Sequence, residues 1–204
     1  MNVLIVGYDS DIAKDITKIH RERGDNVKIT SRNKAGDYHV ELAHSTTWPT
    51  FNETYDLVYY CIGLGDTRST RMEVMQINCF LALDFLSRMT QWVKPGGKII
   101  ALTTRWGSIT TVSMLDPESA KLSANYKISR AAFNMGVVIL SKRFRQFTWV
   151  LMHPGTVETK ATVNFPKTVM KLSTRESAEG VVKASNEATK PIQFIDWTGQ
   201  ELQF

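Results

Sequence analysis

The 204-residue sequence predicts a single α/β domain built on a doubly wound, parallel, seven-stranded sheet. Short apolar runs of strand length alternate with longer segments whose apolar residues recur at helical spacing, the pattern of repeated strand–helix–strand units. With 43% apolar residues, the chain can bury one sizeable core but is short for two domains. The sequence also contains no internal repeat and no Pro/Gly/Ser-rich linker that would mark a domain boundary.

Seven short segments rich in β-branched and aromatic residues are the predicted strands, at residues 3–6, 27–31, 38–42, 57–60, 98–102, 148–152 and 192–195. Helices that would cover both faces of the sheet are predicted at residues 11–23, 69–93, 119–144 and 175–189. The segments 103–117 and 154–171 are predicted to be irregular. Because both follow strands that end at the carboxyl edge of the sheet, we expect the ligand site at that edge.

Composition and charge narrow the classes of function. The net charge of +5 comes from basic residues scattered along the chain, so no nucleic-acid partner is expected, whereas an anionic phosphorylated cofactor would suit a basic protein. Cys61 and Cys79 lie in apolar contexts and are predicted to be buried structural thiols. No metal site is expected, because neither the cysteines nor the four histidines (His20, His39, His44, His153) have ligand spacing. The absence of a leader and of an apolar run of ~20 residues predicts a cytoplasmic protein without a membrane partner.

The first predicted strand runs into GYDSDIA, residues 7–13, and then into a helix. In this context backbone N–H groups and a helix N-terminus can hold a pyrophosphate, as in a Rossmann-type fold. Of the three glycines of a GxxxGxG loop, only Gly7 is present, and Asp11 and Ala13 stand at the other two positions. The alternative is a simple strand-to-helix turn with Asp9 or Ser10 as the N-cap.

The second predicted strand is followed by basic residues, Arg32 and Lys34, where a dinucleotide fold meets the adenosine ribose. A planar guanidinium with a second cation suits a 2′-phosphate, so these residues favour NADP over NAD. The alternative is a solvated charged turn.

The second half of the chain contains three motifs that occur together. GGKIIALTTRWGSI ends a strand in a hydroxyl residue before xxG, NYKISRAAFNM carries a variant of a YxxxK motif, and HPGTVETK follows the sixth predicted strand. In these motifs the chain resembles the short-chain dehydrogenase/reductase family. The final stretch FIDWTGQELQF resembles the C-factor-like branch of the family. The resemblance covers nearly the whole chain and implies a homodimer or homotetramer.

The resemblance also implies the roles of individual residues. Tyr126 would be the acid/base, Thr104 would take the place of the carbonyl-binding serine, Asn78 would support the proton relay, and Arg130 replaces the lysine. Hydride addition to a carbonyl leaves an alkoxide that must gain a proton, which a phenol can donate. A phenol ionises near a pH of about 10, so a cation one helical turn away helps to stabilise its phenolate. The residues expected to bind the cofactor are Gly7, Tyr8, Ser10, Asp11, Ile12, Arg32, Glu41, Gly63, Tyr126, Arg130, Pro154, Gly155, Val157 and Thr159.

The leading hypothesis is an NADP(H)-preferring oxidoreductase that reduces a small carbonyl, or oxidises an alcohol, by hydride transfer. The alternative is a nucleotide-binding protein of the same fold with lost or weak catalysis. That alternative is motivated by Asp11, by Arg130, and by YCIG at residues 60–63, where the family usually has Asn-Asn-Ala-Gly. A rigid guanidinium differs from a compact ammonium, and the methyl group of Thr104 restricts its rotamers. Specificity is expected to reside in the short segment 159–171.

Overall fold

The computed structural model describes residues 1–33, 36–65, 69–160, 162–163, 165 and 168–204. In this part of the chain seven strands form one parallel sheet in the order β3-β2-β1-β4-β5-β6-β7. The strands are β1 Asn2–Val6, β2 Asn26–Ser31, β3 Tyr38–His39, β4 Tyr55–Tyr60, β5 Val93–Leu102, β6 Thr148–His153 and β7 Ile192–Asp196. The order runs outward from β1 in both directions, so the sheet reverses between β1 and β4 and opens a crevice there. The predicted doubly wound, Rossmann-type, single-domain fold is therefore confirmed.

The helices lie on both faces of this sheet. They are α1 Asp11–Glu22, α2 Arg71–Met75, α3 Leu81–Met89, α4 Ile109–Ser113, α5 Pro117–Lys121, α6 Ala124–Arg143 and α7 Thr174–Glu187. A π-helical turn, Gln76–Phe80, joins α2 to α3. Successive side chains of a strand point to opposite faces of the sheet. Leu4 therefore packs with α3 and α6 on one face, whereas Ile5 packs with α1 and α7 on the other. The sheet is thus sandwiched between two apolar cores.

The third strand is shorter than the predicted 38–42, because it lies at the edge of the sheet and pairs on one side only. After two paired residues the chain turns away, and the N–H of Glu41 bonds the hydroxyl of Thr47 at 3.0 Å instead of the sheet. Glu41 consequently lies in a loop beside the crevice rather than in a strand.

The predicted helix 119–144 is wrong at its start. A separate helix, α5, begins with Pro117 after Asp116, whose carboxylate caps it, and α5 ends at Lys121. Ser123 then adopts a left-handed conformation (φ 53°) before α6 begins. The predicted irregular segment 103–117 also contains α4, and the predicted helix 69–93 is interrupted by the π-helical turn. No helix among the described residues has the length and apolar character needed to cross a membrane.

Candidate nucleotide cleft and active site

The crevice at the sheet reversal is a cleft of about 360 Å³. Five of the residues predicted to bind the cofactor line it: Gly7, Ser10, Arg32, Glu41 and Gly63. They come from the ends of β1, β2 and β4 and from the loop after β3, so four separate segments converge on one volume. This convergence is what a nucleotide site at a sheet reversal requires.

Gly7 is held in a conformation that only glycine adopts easily. Its φ is +88°, and a Cβ atom there would lie 2.7 Å from Cγ1 of Ile62, on the loop after β4. Its N–H donates to the hydroxyl of Thr30 at 3.1 Å. The backbone therefore turns tightly between β2 and β4 at this position, which explains the one glycine that the loop retains.

The N-terminus of α1 faces this turn without a side-chain cap. Ser10 occupies the N-cap position, but within the described chain its side chain makes no capping hydrogen bond. Ser10 is thus the N-cap residue that the alternative named, but it makes no side-chain cap, and the first-turn N–H groups are available to an external acceptor. The Asp9 carboxylate bonds to the end of β2 instead. Asp11 pairs with Lys14 at 2.9 Å, which offsets its negative charge at the start of α1.

Two other predicted residues of this loop lie elsewhere. Ile12 is buried in the core between α1 and α7, and Tyr8 packs against that core. Neither is among the described residues that line the cleft. Lys34, the second cation expected beside Arg32, lies outside the described residues.

Tyr126 and Arg130 lie one helical turn apart on α6, and their side chains meet. The Arg130 Cζ atom is 5.4 Å from the centroid of the Tyr126 ring and 5.6 Å from that of Phe133. Arg130 is only 4% exposed. Its Nη2 donates to the carbonyl of Ile62 at 3.4 Å, while Nε and Nη1 have no partner among the described residues. A buried cation with open donors thus lies beside the predicted acid/base.

The guanidinium also lies directly against the cleft wall. A Cβ atom built on Gly63 would overlap Nη2 of Arg130 and lie 3.3 Å from its Cζ. Gly63 therefore provides the space into which the arginine fits. Of the Asn-Asn-Ala-Gly residues that the family usually has here, this chain keeps only the glycine, and the contact with Arg130 gives a reason.

Asn78 is fully buried in the π-helical turn and fastens the loop after β4 to α6. Its Oδ1 accepts from the N–H of Leu64 at 2.7 Å, and its Nδ2 donates to the Leu64 carbonyl at 2.8 Å. Nδ2 also donates to the hydroxyl of Ser129 at 3.0 Å, which in turn donates to the Tyr126 carbonyl at 2.8 Å. Ser129, which the sequence argument missed, therefore links Asn78 to the helix of Tyr126; its only signal was a small polar residue within YKISR.

Thr104 lies two residues after the end of β5 and is 6% exposed. Its Oγ1 accepts the N–H of Trp106 at 3.2 Å and so caps the turn Arg105–Gly107. The same loop is tied to α6, because the hydroxyl of Thr103 donates to Oδ1 of Asn134 at 2.8 Å. Gly107 packs against the backbone of Arg130, where a Cβ atom would lie 3.0 Å from the Arg130 carbonyl carbon. Thr103 and Asn134 are further positioning residues that the sequence argument missed.

The turn after β6 contains the last four predicted cofactor residues, but none of them is among the described residues that line the cleft. The Pro154 carbonyl accepts from Ser177 of α7 at 2.7 Å. Gly155 has a φ of +86°, and a Cβ atom there would lie 2.6 Å from Leu172. Val157 is buried and bridges to Leu172, and the N–H of Thr159 donates to Thr162 at 3.1 Å. In the specificity segment 159–171, residues 161, 164, 166 and 167 lie outside the described residues.

The cysteines and histidines form no metal centre among the described residues, where no group of three potential ligands occurs. Cys79 is buried as predicted, whereas Cys61 is half-buried and lines the cleft, which corrects that expectation. Burial raises the pKa of both thiols. Burial, with the charge of Arg105, lowers the pKa of His153 to about 4, and burial lowers that of His20 although Asp25 lies 2.7 Å from its ring. Both histidines are buried.

Sheet order, cleft and the Tyr126 helix together give the fold found in the short-chain dehydrogenase/reductase family, to whose members the chain is structurally similar over its full length. A carbonyl reductase from Pseudomonas aeruginosa PAO1 is 21% identical, with 100% of this chain and 99% of that chain covered and a TM-score of 0.81. The NADPH-bound carbonyl reductase from chicken fatty liver is 17% identical, with 100% and 98% covered and a TM-score of 0.84. A Burkholderia multivorans protein with bound NADP is 19% identical, with 100% and 99% covered and a TM-score of 0.83.

No protein-family model and no curated protein matches the sequence. At these identities the structural likeness establishes the fold, and the C-factor-like branch stays a prediction.

Proposed function

We propose that this chain is an NADP(H)-preferring oxidoreductase that reduces a small carbonyl, or oxidises an alcohol, by hydride transfer. The observation that carries the proposal is the contact of Tyr126 with the buried guanidinium of Arg130, against Gly63 in the wall of the cleft. A phenol beside a cation that contacts the cleft wall at Gly63 is the pair of groups that proton transfer to an alkoxide requires.

Several groups in the cleft support binding of a dinucleotide. The tight turn at Gly7 and the uncapped start of α1 offer backbone N–H groups to a pyrophosphate, and Arg32 offers a guanidinium near the adenosine ribose. Two of the structurally similar proteins were solved with NADP or NADPH. When bound, the nicotinamide would supply the hydride for the carbonyl carbon.

Side chains of this protein would hydrogen-bond and protonate the carbonyl oxygen of the substrate. Tyr126 donates its phenolic proton to the developing alkoxide, and the hydroxyl of Thr104 donates a hydrogen bond to the same oxygen. Arg130 contributes positive charge at the Tyr126 ring. Asn78 keeps the loop of Gly63 and Leu64 in register with α6 through its three hydrogen bonds.

The test is Tyr126→Phe, which removes the proton donor and keeps the ring that packs on Arg130. Turnover of a panel of aldehydes and ketones should fall by roughly 10²–10⁴-fold, while the affinity for NADPH, measured by tryptophan fluorescence, stays unchanged. Tyr38→Phe, in the edge strand, is the matched control and should leave both quantities unchanged. Undiminished turnover in Tyr126→Phe would refute the mechanism.

A second candidate is a nucleotide-binding protein with weak catalysis, which the contacts of Arg130 favour. Its Nη2 is already bonded to the Ile62 carbonyl, and Nε and Nη1 are enclosed in the protein. Arg130→Lys separates the two candidates. A gain of turnover would mean that the arginine impairs the native chain, and a loss would mean that the native chemistry uses it.

The proposal includes a cytoplasmic homodimer or homotetramer acting on a small molecule. Exposed apolar side chains on α6 (Ile128, Met135, Ile139) and on the helices before it (Met72, Phe80) support an assembly. Light scattering of the purified protein measures the oligomeric state, and a strictly monomeric protein would contradict this part.

A further inference from the structure

The Asp9 carboxylate crosses from the loop after β1 to the end of β2. Its Oδ1 accepts from the hydroxyl of Ser31 at 2.8 Å and from Nδ2 of Asn33 at 2.9 Å, and its Oδ2 accepts from the backbone N–H of Arg32 at 3.0 Å. Asp9, Ser31 and Arg32 all line the cleft. Three donors at the end of one strand therefore converge on a carboxylate supplied by the neighbouring loop.

This carboxylate is ionised at neutral pH. Partial burial by itself would raise the pKa of Asp9, but the hydrogen bonds from Arg32, Ser31 and Asn33, with the positive charge of Arg32, hold it below its ordinary value. A fixed negative charge thus stands in the part of the cleft that Arg32 makes attractive to anions.

A phosphate at this place needs the same donors. Hydroxyl groups, backbone N–H groups and guanidinium groups are the usual partners of a phosphomonoester, which carries about −1.5 to −2 charges near neutral pH. Asp9 already uses the Ser31 hydroxyl and the Arg32 N–H, and its charge repels a second anion. A ribose without the phosphate carries hydroxyls that can donate to the carboxylate instead.

We propose that Asp9 determines cofactor selectivity in this chain, because it holds the donors at the end of β2 and selectively weakens binding of an adenosine ribose that carries a 2′-phosphate. This inference rests on the proposed function and qualifies the NADP preference attributed to Arg32. The guanidinium of Arg32 attracts the phosphate and Asp9 opposes it, so the native chain prefers NADP(H) over NAD(H) by less than it would without the Asp9 carboxylate.

Calorimetric titration with 2′,5′-ADP and 5′-AMP tests this inference, since the two probes differ only in the 2′-phosphate. Asp9→Asn should raise the affinity for 2′,5′-ADP at least about tenfold, equivalent to about 1.4 kcal/mol, and change that for 5′-AMP less than about twofold. NADPH and NADH should show the same pattern. Asp9→Ser gives a second test should the asparagine variant loosen the loop, and melting curves verify that both variants fold.

Two control variants show whether the effect depends on the negative charge of residue 9. Asp9→Glu retains the negative charge and should give no gain for 2′,5′-ADP. Asp11→Asn changes the net charge of the same loop equally, but Asp11 pairs with Lys14 and is not among the described cleft residues, so the ratio of the two affinities should not change.

The outcomes separate this inference from the function on which it depends. If folded Asp9→Asn and Asp9→Ser bind both probes in the native ratio, the role of Asp9 is refuted while a nucleotide site remains. If the native chain and all variants bind neither the probes nor the dinucleotides, both the role of Asp9 and the proposed function are refuted.

Discussion

Gly63→Ala should displace the side chain of Arg130. The added Cβ atom would overlap Nη2 of Arg130, and the guanidinium cannot swing aside freely because it is 4% exposed and packed on the rings of Tyr126 and Phe133. Gly63 is not among the described glycines with positive φ, so the backbone itself tolerates alanine. Overpacking of this kind costs about 1–3 kcal/mol, which is the expected loss in the free energy of unfolding.

A second substitution shows whether the cause is this contact. Lysine lacks the Nη2 atom, so Gly63→Ala combined with Arg130→Lys should recover most of the loss, with a coupling energy of about 1 kcal/mol or more. The coupling energy is obtained from a double-mutant cycle, in which urea unfolding is measured for the native chain, both single variants and the double variant. Gly65→Ala, on the same loop, is the matched control, because nothing lies within 4 Å of its Cβ position. Effects that add to within about 0.5 kcal/mol would refute the reasoning.

Two further predictions concern buried polar groups around the site. The pKa of His153 is about 4, below the ordinary 6.5, because burial favours the neutral ring. The neutral ring therefore stabilises the folded state fully above pH 6.5. As the pH falls from 6.5 to 4, the free energy of unfolding should decrease by about 1.4 kcal/mol per pH unit, or about 3 kcal/mol in all. His153→Gln should remove that part of the pH dependence in urea unfolding, and an unchanged profile would contradict the assignment. Lys127 donates from Nζ to the carbonyls of Ser119 and Leu122 at the end of α5 and lies 5.0 Å from the Trp106 ring, so Lys127→Met should cost about 1–3 kcal/mol and speed amide exchange in α5. Lys127→Arg should retain most of the stability, and equal loss in both variants would count against the carbonyl contacts.

The sheet was predictable because its strands are buried on both faces and therefore read as continuous apolar runs. One departure, β3, is an edge strand whose length depends on a loop hydrogen bond between Glu41 and Thr47 that no apolar pattern encodes. The boundary between α5 and α6 was missed for a different reason. Helical spacing continues across Leu122 and Ser123, while the true start signal, Asp116 followed by Pro117, lies two residues before the predicted helix.

The site was predictable where it depends on local sequence. Gly7 and Arg32 directly follow strands, so their positions on the cleft follow from the topology alone. The part played by Asp9 depends on residues more than twenty positions away at the end of β2, and a single sequence does not show that contact. The cofactor role of the turn after β6 stays a prediction. Its residues match a family motif, and in the structure they bond to α7 and Leu172 and are not among the described residues that line the cleft.

The two strongest departures from the family pattern adjoin the same aromatic side chain. Tyr60, at the first of the usual asparagine positions, stacks on Phe133 with ring centroids 6.1 Å apart, and the guanidinium of Arg130 lies 5.6 Å from that ring. A delocalised guanidinium is more weakly hydrated than an ammonium and stacks on aromatic faces, so it tolerates burial among Tyr126, Phe133 and the aromatic wall that Tyr60 extends. A lysine ammonium at residue 130 would lose those stacking contacts and would be more costly to bury, because it is more strongly hydrated. The aromatic residues around residue 130 therefore favour arginine there, independently of the YxxxK spacing.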